Sequence, residues 1–110
     1  MGRLMIVGRL VPGTEEQVAQ IFGETDASEL PSVTGVRHRS LYALHDIWVH
    51  LLETGPAGPA GLEAGRDHPL FVDANKRLSN FTSPYLTTWR SPRDSIARRF
   101  YAWDAQDPTR

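Results

Sequence analysis

The chain has 110 residues, 12 lysines and arginines against 13 aspartates and glutamates, a formal net charge of -1 and no cysteine. A chain of this length is a single domain, spanning 1–110, that buries roughly two thirds of its unfolded surface, so its core is modest and association between copies would help it. The charge balance leaves no electrostatic footprint for nucleic acid, and the absence of cysteine excludes disulfides, cysteine-bound zinc and thiol chemistry.

The opening, MGRLMIVGRLVPG, has an apolar run too short for a secretory leader, and no window of the sequence is long enough to span a bilayer. A soluble cytoplasmic protein is the expectation. Leu4 to Val11 reads as a first strand, ended by Pro12-Gly13. Thr14 then has the character of an N-cap, with Gln17 three residues on to complete a capping box, and Val18, Ile21 and Phe22 form a helical stripe ending near Thr25. Thr25 to Pro31 is polar and irregular, which places Asp26 at a helix exit, a position from which a side chain can point into a cavity.

Gly35 to Leu44 and Ile47 to Glu53 read as two strands joined by the two-residue turn His45-Asp46. Thr54 to Gly61, TGPAGPAG, is expected to be a mobile loop. A second helix starts with Asp67 as its cap and Pro69 in its first turn, carries Phe71, Ala74, Leu78 and Phe81 at spacings of three and four, and ends before Pro84. Ser95 to Trp103 has the aromatic and branched content of a final strand, and 104–110 reads as a frayed tail. The order strand, helix, strand, strand, helix, strand predicts an α+β, ferredoxin-like split βαβ fold, with a four-stranded antiparallel sheet and both helices on one face.

Strand parity makes the hairpin informative about chemistry. A turn at His45-Asp46 sets Leu44 opposite Ile47, Ala43 opposite Trp48 and Leu41 opposite His50, so Arg37, Arg39, Leu41, Ala43, Trp48, His50 and Leu52 share one side. Arg39 becomes a diagonal neighbour of His50, about 7–8 Å away at the backbone and within reach of long side chains. An imidazole beside a guanidinium under an aromatic wall points to a small-molecule site. The other side carries Val36, His38, Ser40, Tyr42, Leu44, Ile47, Val49 and Leu51 and is the more apolar, so one sheet face is expected to pack on a second copy, giving a homodimer. His45-Asp46 also evokes the metal dyad of HD phosphohydrolases, but the remaining ligands are absent and the pair is read as a turn. The four histidines do not converge as a metal-ligand set.

Four stretches resemble one family in order and spacing: DASELP from Asp26, GVRHRSLYALHDIWVHLLE from Gly35, RDHPLFVDANKRL from Arg66 and SIARRFYAW from Ser95 are similar to the tetracenomycin-type aromatic polyketide cyclases. The resemblance implies a ferredoxin-like dimer with a cavity between sheet and helices, acting on tethered or released poly-β-ketone intermediates of type II polyketide pathways, with no metal or organic cofactor. Transient contact with an acyl carrier protein or the synthase goes with that role. By position, the charged cavity residues of the family map onto Asp26, Arg39 and His50. One departure is Thr25, where the family's prototype has a histidine.

The residue types suit an aldol-type ring closure. An imidazole with its ordinary pKa near 6.5 moves a proton at neutral pH, a guanidinium holds the forming enolate, and Asp26 orients the imidazole or relays a proton. Trp48, with Arg37, Leu41 and Leu52 on its strand face and Phe71 on the second helix, are the candidate substrate contacts. Two other classes fit the same fold, a cofactor-independent antibiotic-biosynthesis monooxygenase and a non-catalytic polyketide-binding module.

Overall fold

The computed structural model describes residues 2–56 and 59–105. Strand β1 (Gly2–Leu10) leads into helix α1 (Glu15–Asp26), the short helix α2 (Leu30–Thr34) and the hairpin β2 (Val36–Leu44) and β3 (Ile47–Thr54), followed by α3 (Pro59–Ala64), α4 (Pro69–Leu78), β4 (Thr82–Pro84) and a 3-10 turn at Pro92–Ser95. The sheet is antiparallel in the order β2-β3-β1-β4, the arrangement expected of a split βαβ fold.

The hairpin forms as the parity argument requires. Leu44 pairs with Ile47, Ala43 with Trp48 and Leu41 with His50. His45 takes φ 54, the left-handed geometry that a two-residue turn of this kind demands. One detail differs: a bulge between Val36 and His38 sets Val36, rather than Arg37, opposite Thr54, which moves Val36 to the helix-covered side.

Alternation along β3 is complete, with Trp48, His50, Leu52 and Thr54 buried and the residues between them half-exposed. Leu10, Val18 and Trp48 form the centre of the core, packed on by Phe22, Leu41, Leu78 and Phe81. Arg77 on α4 donates to both carboxylate oxygens of Glu24 on α1, at 2.8 and 3.1 Å, tying the two long helices together over the sheet. The other sheet face stays open, with Tyr42 57% and Leu44 81% exposed.

Several local expectations are corrected. The Thr14–Gln17 capping box does not form: Thr14 Oγ1 donates to the Val11 carbonyl at 2.6 Å, and the Glu15 carboxylate accepts from Gly13 N–H. The stretch read as irregular after Asp26 contains α2, with Pro31 in its first turn. His68 rather than Asp67 caps α4, its Nδ1 accepting from Leu70 N–H at 3.1 Å. Part of the supposed loop is α3, while residues 57–58 of it lie outside the described residues.

The largest correction concerns the last strand. β4 is Thr82–Pro84, directly after α4, and the segment expected as a strand at Ser95–Trp103 contributes a single bridge, Ile6 to Ile96, and one hydrogen bond from Ala97 N–H to Met5 O. Beyond it Phe100, Tyr101 and Trp103 are 91%, 76% and 66% exposed. Of the predicted tail, residues 106–110 lie outside the described residues.

Gly8 is fixed by close approach. A Cβ built on it would lie 2.7 Å from Trp48 Nε1 and 3.1 Å from the Ser83 carbonyl, so neither the buried indole nor the β4 backbone leaves room. Gly8→Ala is expected to cost about 1–3 kcal/mol by overpacking, read as a lower urea midpoint at unchanged slope. A midpoint equal to that of the natural chain would show that the indole yields.

Candidate active site

Three elements deliver three side chains to one place. Arg39 stands on β2 and His50 on β3, diagonal across the hairpin on its covered face, and Asp26 is the last residue of α1. Arg39 Nε lies 3.2 Å from both oxygens of Asp26, and Nη2 lies 2.9 Å from Oδ1, a forked contact that uses one edge of the guanidinium. From its other end Nη1 donates to His50 Nε2 at 2.7 Å. The imidazole therefore accepts at Nε2 and carries its proton on Nδ1.

The site grades from wet to dry. The Asp26 side chain is 42% exposed, that of Arg39 15%, and His50 as a residue 6%. Rings enclose the inner end: Trp48 stacks on His50 with centroids 5.9 Å apart and planes at 14°, and Phe22 lies 4.9 Å from the imidazole centroid. Burial first, and the adjacent Arg39 charge second, lower the His50 pKa from 6.5 to about 3. The expectation of an imidazole titrating near neutrality is thus corrected, because burial disfavours the charged ring and the cation held at 2.7 Å opposes a second positive charge. Asp26 likewise engages the guanidinium rather than the imidazole.

Of the other sequence candidates, Trp48 stands against His50, Leu52 is buried opposite Arg39, and Leu41 sits opposite His50 and packs on the central core. Arg37 is not brought to the site. It is the extra residue of the bulge, and its guanidinium lies over Gly55. Phe71 is in the first turn of α4 and 36% exposed, outside the cluster around His50. Thr25 is buried and donates to the Phe22 carbonyl at 2.9 Å, so the helix exit offers the carboxylate of Asp26 without a second titratable partner. Phe22 is the site residue that the sequence reading missed. Its place four residues before Asp26, on the same helix face, is the signal that could have found it.

An apolar cleft of about 150 Å³ opens between α1 and the hairpin, lined by Leu10, Val18, Ala19, Leu41, Ala43 and Trp48, with Glu15 and Tyr42 at its edge. A cavity of that order holds one benzene-sized group. A wider surface cleft near the turn is lined by Arg9, Asp46 and Tyr85 among others. Neither includes Asp26, Arg39 or His50, and the indole of Trp48 is the link between the first cleft and the imidazole.

The depressed His50 pKa fixes a sign. Between pH 6.5 and about 3 the unfolded chain binds a proton at this residue and the native chain does not. Stability therefore rises with pH through that window and is lost as pH falls through it. His50 proton resonances are expected to show no titration from pH 5 to 8. A His50 midpoint near 6.5 would contradict the arrangement.

Comparison with known proteins agrees with this architecture. Residues 2–104 match the family model described as polyketide synthesis cyclase. Tetracenomycin F2 cyclase of Streptomyces glaucescens is 40% identical over 105 residues, covering 96% of each chain, and a protein named polyketide synthase CurG from Streptomyces cyaneus is 36% identical over 94% of this chain and 98% of its own length. The solved structure of the Streptomyces glaucescens enzyme, described as a type-II polyketide cyclase, superposes with a TM-score of 0.86 at 39% identity, covering 96% of this chain and 99% of that one. This chain belongs to the polyketide synthesis cyclase family and is an enzyme of aromatic polyketide biosynthesis.

Proposed function

We propose that this cyclase closes a ring of a poly-β-ketone intermediate by intramolecular aldol condensation followed by loss of water. The observation that carries the reading is the guanidinium of Arg39, locked by Asp26 on one edge and touching a buried, neutral imidazole from its other end. In the first step a C–H bond of a methylene between two carbonyls breaks, the proton passes to His50 Nε2, and the electron pair becomes an enolate whose oxygen Arg39 holds. The enolate carbon then bonds to a second carbonyl carbon, whose oxygen becomes an alkoxide and takes the proton back. Loss of a further α-proton together with hydroxide, as water, leaves the double bond that leads to the aromatic ring.

A base with a pKa of about 3 is weak, and the same geometry supplies the remedy. An enolate oxygen that takes over the Nη1–H of Arg39 frees the lone pair of Nε2. Its negative charge also offsets the cation that lowers the imidazole's basicity. Proton transfer and enolate binding thus support each other, and the methylene between two carbonyls is itself acidic. Folding the chain so that the reacting carbons meet can contribute roughly 7–11 kcal/mol. The apolar cleft beside Trp48 would take one ring-sized end of the substrate.

Assembly is part of the same reading. Met5, Tyr42 and Leu44 stand exposed on the open sheet face around Val49 and Leu51, and Phe100, Tyr101 and Trp103 stand exposed outside the strands of the described residues. These surfaces support a homodimer built on the open face. No helix among the described residues is long and apolar enough to cross a membrane, and we place the enzyme in the cytoplasm, in transient contact with the carrier protein or synthase that presents its substrate.

Given a multicyclic polyketide precursor, the purified protein is expected to accelerate ring closure equally with and without oxygen. Turnover coupled to oxygen uptake would favour a monooxygenase, and binding without rate enhancement a shielding module. Arg39→Ala and His50→Ala should each lower turnover by about 10- to 1,000-fold, because substrate folding persists in both. In the free enzyme, kcat/KM should show no inflection near pH 6.5 from His50. His38→Ala, on the open face, should act only through stability or association. For assembly, light scattering should give a dimer that Leu51→Glu converts to monomer; a monomer across micromolar concentrations of the natural chain would refute it.

A further inference from the structure

We propose that Phe22 is a positioning residue, whose ring sets the plane of the Arg39 guanidinium and through it the placement of His50. The inference rests on the reading of the Asp26, Arg39 and His50 site given above. Asp26 and His50 hold the guanidinium only at its rim, through Nε and Nη2 on one side and Nη1 on the other. A planar group gripped at its rim can still tilt about the line joining its partners. Asp26 is also 42% exposed, and a carboxylate so open to water holds a cation weakly. Phe22 supplies the missing contact, with Arg39 Cζ 4.8 Å from its ring centroid, where the negative face of the ring attracts the cation.

The same ring lies 4.9 Å from the imidazole centroid at 58° and 6.2 Å from the indole of Trp48. It therefore touches every member of the inner site, and it stands one helical turn before Asp26 on α1, so one rigid helix places both the carboxylate and the ring. The charged groups facing His50 are Arg39 from β2 and, through it, Asp26 from α1. Its neighbour on β1 is Ile6, which carries no charge.

Phe22 also packs on the core, so the test must separate positioning from packing. Phe22→Leu and Phe22→Met keep an apolar side chain without a ring face, and Phe22→Tyr keeps the ring. The Leu and Met variants are expected to lower kcat by about tenfold with KM changed by less than about threefold. They should also bring the His50 resonances into titration above pH 5, as the guanidinium swings away and water enters. Phe22→Tyr should restore both readouts towards those of the natural chain. A folded Leu or Met variant with reduced melting temperature but unchanged kcat and unchanged His50 titration would overturn the proposal. The resonance measurement needs no substrate. Absence of cyclase activity in the natural chain would therefore defeat the functional reading while leaving the role of Phe22 decided on its own.

Discussion

A slip of one residue between β2 and β3 would send Arg39 and His50 to opposite faces of the sheet, because paired residues share a face and side chains alternate along a strand. Most of the site hangs on this register. It is held at one end by the turn, where His45 adopts a positive φ and Leu10 N–H of the neighbouring strand donates to the Asp46 carbonyl at 2.8 Å. It is held along its length by burial of Trp48, Leu52 and Thr54 on the same side as His50. Apolar burial therefore places the polar chemistry: the indole and the leucine select the face, and the imidazole between them goes where they go.

The cost of that placement falls on the charged groups. A guanidinium 15% exposed and an imidazole 6% exposed both lose hydration, and a dry interior penalises a bare charge by several kcal/mol. The structure offsets this in two ways. Asp26 lies at the wet end and neutralises Arg39, and His50 stays uncharged and accepts from Nη1 at the dry end. A single positive charge thus extends into the dry site while its counter-ion remains near solvent. That distribution suits the anionic intermediate proposed above, since an incoming enolate would meet a donor already paid for in desolvation.

How much of this was legible in the sequence follows from what is local and what is not. The two-residue turn fixes pairing by counting, so the Arg39 and His50 diagonal could be read from residue order alone. The bulge at Arg37 could not, since it reflects how β2 bends at its start rather than any pattern in the side chains. The final strand failed for a related reason: Ser95 to Trp103 has strand composition, yet Thr82–Pro84 pairs on the edge of β1 at Gly8 to Leu10, and the later segment meets β1 at the bridge to Ile6 although β4 does not pair with the edge from Gly2 to Met5. Composition reports a preference for pairing and says nothing of whether an open edge is used. The ordinary imidazole pKa was the natural assumption for an isolated histidine. Only the enclosure by Phe22 and Trp48, from an element far along the chain and from the next residue but one, reveals the shift.

β3 also separates two demands that often conflict. Its buried residues, Trp48, His50, Leu52 and Thr54, serve the core and the site, while Val49, Leu51 and Glu53 serve the other face. A small core tolerates little loosening, so the face that holds the site must stay packed under the helices. The proposed association through the open face would load the sheet from the side opposite the apolar cleft. Strand alternation is what makes those two surfaces independent, because successive residues of one segment answer to different neighbours.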